Sequence, residues 1–265
     1  MAYETDLTDE QWALIKRHIP RAQSGGRPRT TKMRRVVDAI MYVVTYDCKW
    51  RGLPKDFPPW QTVYRYFDDL QTRGKWQDIH QALYEKVRRE AGRNPDPSLL
   101  IIDSQSVKTG KNASAETKAF DGGKRVKGRK RHVIVDSLGL LVDVAVTPAN
   151  LADNKGALKV LQKYYWRTDR PRVKKVIGDM GYRGEMLRGF VRKAFKAVVG
   201  IGQNHTSKER GFVPAKKRWL VERGFAWLGD YWRLSVDRER TFYNSCAMIR
   251  IAFIRLMLRR LEPSY

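Results

Sequence analysis

The sequence predicts an α/β fold: a mixed sheet flanked by helices, preceded by an all-helical segment. Three observations carry this. Up to about residue 92 the apolar residues recur at helical spacing. From Ser98 onward they gather into short continuous runs of strand length. Between the two regimes lies GRNPDP, rich in Gly, Pro and Asp, which reads as a linker. The expected units are residues 1–95 and 96–265.

Taken in order, Thr8 precedes DEQWALIKRHI, an N-cap followed by acids in the first turn, and Pro20 stops that helix. SGGRPRTTK is a basic loop. MRRVVDAIMYVVTYD places Val36, Val37, Ile40, Val43 and Val44 on one helical stripe. CKWRGLPKDFPPW is a proline-broken connection, and QTVYRYFDDLQTRG and KWQDIHQALYEKVRREAG are two further helices. LLIID is a buried strand. KRHVIVD and LLVDVAVT flank Ser137-Leu138-Gly139 and read as a hairpin. ADNKGALKVLQKYY is a helix, RVKKVIGD a strand, YRGEMLRGFVRKA a helix and FKAVVGI a fifth strand; residues 215–233 and 244–261 are helices. The order β-β-β-α-β-α-β-α is that of an RNase-H-like domain.

Composition narrows the partners. Lys and Arg number 53 against 28 Asp and Glu, a net charge of +25 on 265 residues. That excess opposes compaction unless a polyanion offsets it; nucleic acid is the first expectation and an anionic membrane surface the second. No apolar run is long enough to span a bilayer, and MAYETDLTDEQW has no apolar stretch of a signal peptide. Cys48 and Cys246 stand far apart without a CxxC or His-pair context, which argues against a disulfide scaffold or a zinc site and suits a reducing cytoplasm. His18, His80, His132 and His205 have no metal-ligand spacing, so any metal is expected to be hard and oxygen-bound, Mg²⁺ or Mn²⁺.

Three carboxylates stand out: Asp103 in LLIIDSQ, Asp179 in KKVIGDMGY and Glu222 in RWLVERGFAWL. In the expected fold the first and fourth strands are central neighbours. Asp103 and Asp179 then sit side by side at their C-terminal ends, with Glu222 coming across from a helix. Converging carboxylates can hold two metal ions about 3.5–4 Å apart, which serve phosphodiester cleavage or transfer. Each has a plainer reading: a turn or cap residue for the two Asp, and for Glu222 a surface partner of Arg218 four residues earlier. Glu222 nevertheless adjoins an apolar row, Val221, Phe225, Leu228 and Trp232. Competing acids are Asp136, Asp143, Asp153 and Glu185; Asp136 closes a strand before a turn and is better read as a turn residue.

With these motifs in view, the chain resembles bacterial insertion-sequence transposases with a DDE triad, of the small one-piece branch. Asp179-Met180-Gly181-Tyr182 resembles that family's D-x-G-Y, and Arg218 with Glu222 its R-x-x-x-E. WRGLPKDFPPWQTVYRYF and GGKRVKGRKRHVIVDSLGLL resemble its blocks too, so the likeness covers nearly the whole chain. There is a departure: the longer pattern has Tyr three before the Arg and Lys seven after the Glu, where this chain has Ala215 and Gly229. Tyr182 or Arg233 are the substitutes on offer. The resemblance implies cleavage at element ends and strand transfer into a target. It further implies Asp103, Asp179 and Glu222 binding two Mg²⁺, with Mn²⁺ as a substitute, double-stranded DNA as partner, a homodimer on DNA and a place at the bacterial nucleoid.

The basic segments supply the expected DNA contacts. GGKRVKGRKRH offers Lys124, Arg125, Lys127, Arg129, Lys130 and Arg131 as a clamp on phosphates near the scissile bond. SGGRPRTTK offers Arg27 and Arg29 to a narrow minor groove. The helices near 32–46 and 59–72 suggest a helix-turn-helix-like unit with Gln61, Thr62, Tyr64 and Arg65 toward the major groove. Trp50 and Trp60 read as core. Arg218, Arg233 and Lys108 complete the set, and Arg250, Arg255, Arg259 and Arg260 read as the solvated rim of a packed helix. Two rivals share these features: a metal-dependent nuclease that only hydrolyses, and a DNA-binding repressor without chemistry. Tyrosine or serine recombination would leave the carboxylates unexplained.

Overall fold

A computed structural model describes residues 3–22, 25, 28–169, 171–202, 205–207, 211–213 and 219–262. The helical part begins as expected. The Thr8 side chain accepts from the Gln11 N–H while the Gln11 side chain accepts from the Thr8 N–H, a reciprocal cap on α1 (Asp9–Ile15). A 3₁₀ turn over Lys16–His18 carries the chain to Pro20. The stripe Val36, Val37, Ile40, Val43 and Val44 is buried on α2 (Met33–Tyr46), which ends at Asp47 in the left-handed region. After the proline-broken connection come α3 (Trp60–Thr72) and α4 (Lys75–Glu90). Trp50 packs its ring on Tyr64 and Phe67, a core role.

The main sheet is mixed. Strands β1 (Leu99–Lys108), β2 (Ala119–Asp121), β3 (Val126–Val135) and β4 (Leu141–Pro148) pair antiparallel, with β2 and β4 meeting successive stretches of β3. On the other side of β1, β5 (Lys175–Gly178) and β6 (Val198–Ile201) follow in parallel. The order β4-β3-β1-β5-β6 puts the first and fourth predicted strands together at the centre. Helix α5 (Asp153–Arg167) follows β4, and α6 (Glu185–Phe195) links β5 to β6. A small hairpin, β7 (His205–Ser207) with β8 (Gly211–Val213), was not legible as strands. Helix α7 (Trp219–Gly229) ends earlier than expected, residues 215–218 lying outside the described residues, and α8 (Phe242–Arg260) follows.

Helix α8 joins the two parts. It packs on β4 and also on α4, α2 and α3, and its residues are buried on nearly every side. One hydrophobic cluster therefore runs from Leu7 through the sheet to Leu258. The expected solvated rim is half right: Arg259 and Arg260 are exposed, but Arg250 and Arg255 are buried. Arg250 donates to Asp143 Oδ1 at 2.7 Å, and Arg255 donates to the Thr5 and Glu4 carbonyls. A second tie is Asp136. Its carboxylate accepts from the Leu138 and Leu140 N–H groups, the expected turn role, and also receives Tyr84 and an ion pair from Arg88, both on α4. No helix among the described residues is long and apolar enough to cross a membrane.

Candidate active site

The parallel ladder pairs Leu99 with Lys175, Leu100 with Val176 and Ile101 with Ile177. Carried two residues further, the same register sets Asp103 opposite Asp179. The pairing with β5 ends there, but β1 itself continues against β3 as far as Lys108, so Asp103 lies within a long strand rather than at its end. Its Oδ1 accepts from the Ser104 N–H at 2.8 Å. Asp179 caps the 3₁₀ turn Met180–Tyr182, its Oδ1 accepting from the Gly181 N–H at 2.9 Å. Gly178 makes this turn possible: a Cβ there would stand 2.8 Å from the Tyr182 ring and 3.0 Å from Ile102. Tyr182 is thereby pressed onto the strand end and is only 1% exposed. Burial first, then the negative charges of Asp103, Asp153 and Asp179, hold its phenol pKa well above the ordinary range; Ser104 pulls the other way.

Glu222 is positioned by α7, which packs on β1 and β3. The helix is docked on the β3–β4 turn. Gly139 takes φ 74° there, Arg223 donates to the Leu138 carbonyl at 2.7 Å, and Gly224 leaves room for the Gly139 carbonyl. The Arg223 guanidinium stands over the Trp219 ring at 4.7 Å and the Trp227 ring at 4.9 Å, one turn to either side along the same helix. Glu222 is exposed beside buried Val221, at the margin of the apolar face. Of the predicted row, Val221 and Leu228 are buried and Phe225 half-buried; Trp232 is 70% exposed and lies past the helix end at Gly229.

The three carboxylates offer oxygen donors, the kind that suits a hard divalent cation. Asp103 lies on β1 and Asp179 one residue past the end of β5 at the matching register, and Glu222 rides on a helix packed against β1. Among the described residues no three of His, Cys, Asp and Glu stand close enough to enclose a metal ion. The donor set fits in kind, and the three-carboxylate centre is not closed in this arrangement.

The predicted basic clamp divides sharply. Lys124, Arg125 and Lys127 are exposed on the β2–β3 turn and the start of β3, and Lys108 is exposed at the end of β1. Arg129, Lys130 and Arg131 are buried, which corrects their assignment as phosphate contacts. Arg129 donates to Asp237, Ser245 and the Glu239 carbonyl; Lys130 pairs with Asp121 and Asp153; and Arg131 lies in the interior beside Arg233 and Asp237. β3 is paired on both edges and packed on both faces, so its alternating side chains are buried in opposite layers, Arg129 against the residues before and at the start of α8 and Lys130 against the start of α5. Arg233 is likewise only 6% exposed and bound to Glu239 and Asp47, so it is not a DNA contact, nor a stand-in for the missing lysine. Gln61 and Arg65 are exposed and Thr62 half-buried on the first turns of α3; Arg29 is exposed. Arg27 and Arg218 lie outside the described residues. Sequence reading missed Ser104, and named Lys130 as a phosphate contact rather than the partner of Asp153, because these partners come from separate elements.

Comparison with known proteins agrees with this geometry. Residues 94–257 match a family described as "Transposase DDE domain", and residues 7–80 one described as "Putative transposase of IS4/5 family". A Burkholderia cepacia protein named "Putative transposase for insertion sequence element IS402" is 31% identical over 185 residues, 64% of this chain and 79% of the relative. A Brucella ovis protein named "Putative transposase for insertion sequence element IS6501" is 29% identical over 136 residues, 49% of this chain and 98% of the relative. The catalytic-type sheet, the helical segment before it and these matches together place the chain in the DDE transposase family, of the IS4/5 kind.

Proposed function

We propose that the protein cleaves the ends of an insertion sequence and joins them to target DNA, with Asp103, Asp179 and Glu222 as the catalytic carboxylates. The observation that carries this is the β1–β5 register, which extended by two residues sets Asp103 opposite Asp179, with Glu222 on a helix packed against β1. The cofactor is two Mg²⁺ ions, replaceable by Mn²⁺, which when bound supply Lewis acidity to the attacking and leaving oxygens. Asp103, Asp179 and Glu222 would hold these ions through their carboxylate oxygens. Water attacks the phosphodiester at the element end, breaking its bond to the 3′-oxygen and leaving a 3′-hydroxyl and a 5′-phosphate; that hydroxyl then attacks a target phosphodiester and displaces the target strand's 3′-oxygen, which leaves as a hydroxyl. Lys108, Lys124, Arg125 and Lys127 neutralise backbone phosphates near the cut, and Gln61, Thr62 and Arg65, with Arg27 and Arg29, bind the element end. Joining two ends calls for two protomers, so the working form is a homodimer on DNA, in the cytoplasm at the nucleoid.

The test is a reaction of purified protein, Mg²⁺ and end-containing duplex, scored for joined product. Hydrolysis without joining would leave a nuclease, and binding without either a repressor. Asp103→Asn, Asp179→Asn and Glu222→Gln are each expected to abolish cleavage while end binding by gel shift stays within about threefold, since binding depends chiefly on basic groups. Any one of them that still cuts at the wild-type rate is not a catalytic residue.

A further inference from the structure

We infer that Phe120 is a DNA-contacting wedge, whose ring enters a groove of the element-end duplex and opens one base step; this rests on the DNA-cutting reading above. Phe120 is the middle residue of β2, the short strand that forms a ribbon with the start of β3. It is 57% exposed. Lys127 lies directly across from it in the ladder and is exposed as well. Lys118, in extended backbone two residues earlier, takes the same face by alternation. Lys124 and Arg125 stand exposed at the tip of the ribbon. An apolar ring is thus surrounded by cations. That arrangement suits a polyanion with apolar surface between two rows of charge, which is what a groove of duplex DNA presents.

The ribbon holds the ring in place. Asp121, next to Phe120, turns to the other face and is tied four ways. Its Oδ2 accepts from the Ser106 hydroxyl at 2.5 Å and pairs with Lys130 Nζ at 3.2 Å. Its Oδ1 accepts from the Gly123 and Lys124 N–H groups at 3.0 and 3.1 Å. These ties fix the turn and keep Phe120 from folding back onto the core. The turn contains Gly122 and Gly123, yet the residue in the left-handed region is the cation Arg125, at φ 54°. Register gives the face. Asp103 pairs with Val133 and Val107 with Arg129; Lys127 comes two residues before Arg129, so Lys127 and Phe120 share the face of Asp103. The run of β3 from Val133 back to Lys127 is roughly 20 Å, the length of about six base pairs. Between the two, the residues that enclose Arg129 cover this face, and exposed Arg240 among them adds a cation along the way. The plainer reading is a lone surface phenylalanine, which is ordinary. It leaves unexplained why an edge strand, commonly guarded by charge, sets an open ring at the centre of a basic ribbon.

The test uses the full chain without metal and an end-containing duplex. 2-Aminopurine, paired with thymine, replaces one base pair at a time over about ten base pairs from the cut. With saturating wild-type protein one position should brighten about threefold or more, as that base loses its stacked neighbour. Phe120→Ala should return this position to the level of the free duplex and weaken binding about tenfold. Lys127→Ala should weaken binding too, yet keep the full brightening once saturated. If no position brightens with wild type, if Phe120→Ala brightens equally, or if Lys127→Ala loses the signal at saturation, the inference is overturned. Should Phe120→Ala fail to fold, Phe120→Gln replaces it with the same expected loss. The two levels separate in the wild-type arm. A chain with no preference for the end duplex over a scrambled one sinks the transposase reading and this inference together. A chain that prefers the end duplex but brightens no base sinks only the role of Phe120.

Discussion

At the scale of single residues, two buried histidines set the acid limit of the fold. His80 is fully enclosed beside Tyr84, and neither ring nitrogen has a partner among the described residues. Burial, and then the positive charge of Arg250, pushes its pKa down from 6.5 to about 3; burial lowers that of His132 to about 4. The unfolded chain takes up these protons near pH 6.5 and the folded chain does not. Stability is therefore full above that pH and is lost as pH falls from 6.5, toward about 4 for His132 and toward about 3 for His80. The melting temperature should drop across this window, and His80→Leu, which removes one site of proton uptake, should flatten the drop. An equal slope in that variant would remove His80 as a source. Arg88 makes a different case. It and Asp136 are both buried and paired, and Arg88→Met would strand a charge in the interior. Loss of about 3–5 kcal/mol is expected by urea denaturation.

At the scale of elements, the legible part and the illegible part differ in kind. Local signals were sufficient for α1, whose cap is written in Thr8 and Gln11, for the stripe of α2 and for the hairpin around Gly139. The neighbouring of β1 and β5 was legible from element order alone, and with it the matching of Asp103 to Asp179. What could not be read was which face of a strand a charge occupies once another strand covers it. Arg129, Lys130 and Arg131 sit in one basic run with Lys124 and Lys127, yet the residues before α8 enclose Arg129 on one face of the sheet and the start of α5 encloses Lys130 on the other. The length of β1 beyond Asp103 was hidden too, because Ser104, Gln105 and Ser106 are polar while pairing with β3. This sorting changes what a charge-removal experiment should show. Neutralising Lys124, Arg125 and Lys127 together should flatten the salt dependence of DNA binding, by about one in log–log slope for each phosphate that no longer meets a cation. Arg129→Gln should lower stability and leave the slope alone. An unchanged slope in the triple variant would take the β2–β3 turn off the phosphate backbone.

At the scale of the whole molecule, α8 governs how far the two expected units can be separated. Residues 1–95 were expected to recognise element ends alone, and residues 96–265 to hold the carboxylates. The faces of α2, α3 and α4 that such a fragment would carry are packed on α8, and Arg88 is paired across to Asp136. A fragment of residues 1–95 should therefore show weak or no cooperative unfolding by circular dichroism until residues 96–265 are supplied, when end preference in competition binding should appear. A fragment that folds and selects ends unaided would show that α8 is dispensable to the helical segment.

The position of α8 also bears on how the chain comes off the ribosome. It follows every described strand, and it is the piece that closes the interior on both sides. Until residues 242–260 have emerged, the faces of β4, α2, α3 and α4 that α8 covers are left bare on the nascent polypeptide. A stop codon or frameshift before residue 242 leaves both greasy surfaces open. Its product is then food for proteases rather than a stable stump that occupies element ends and blocks intact copies from using them.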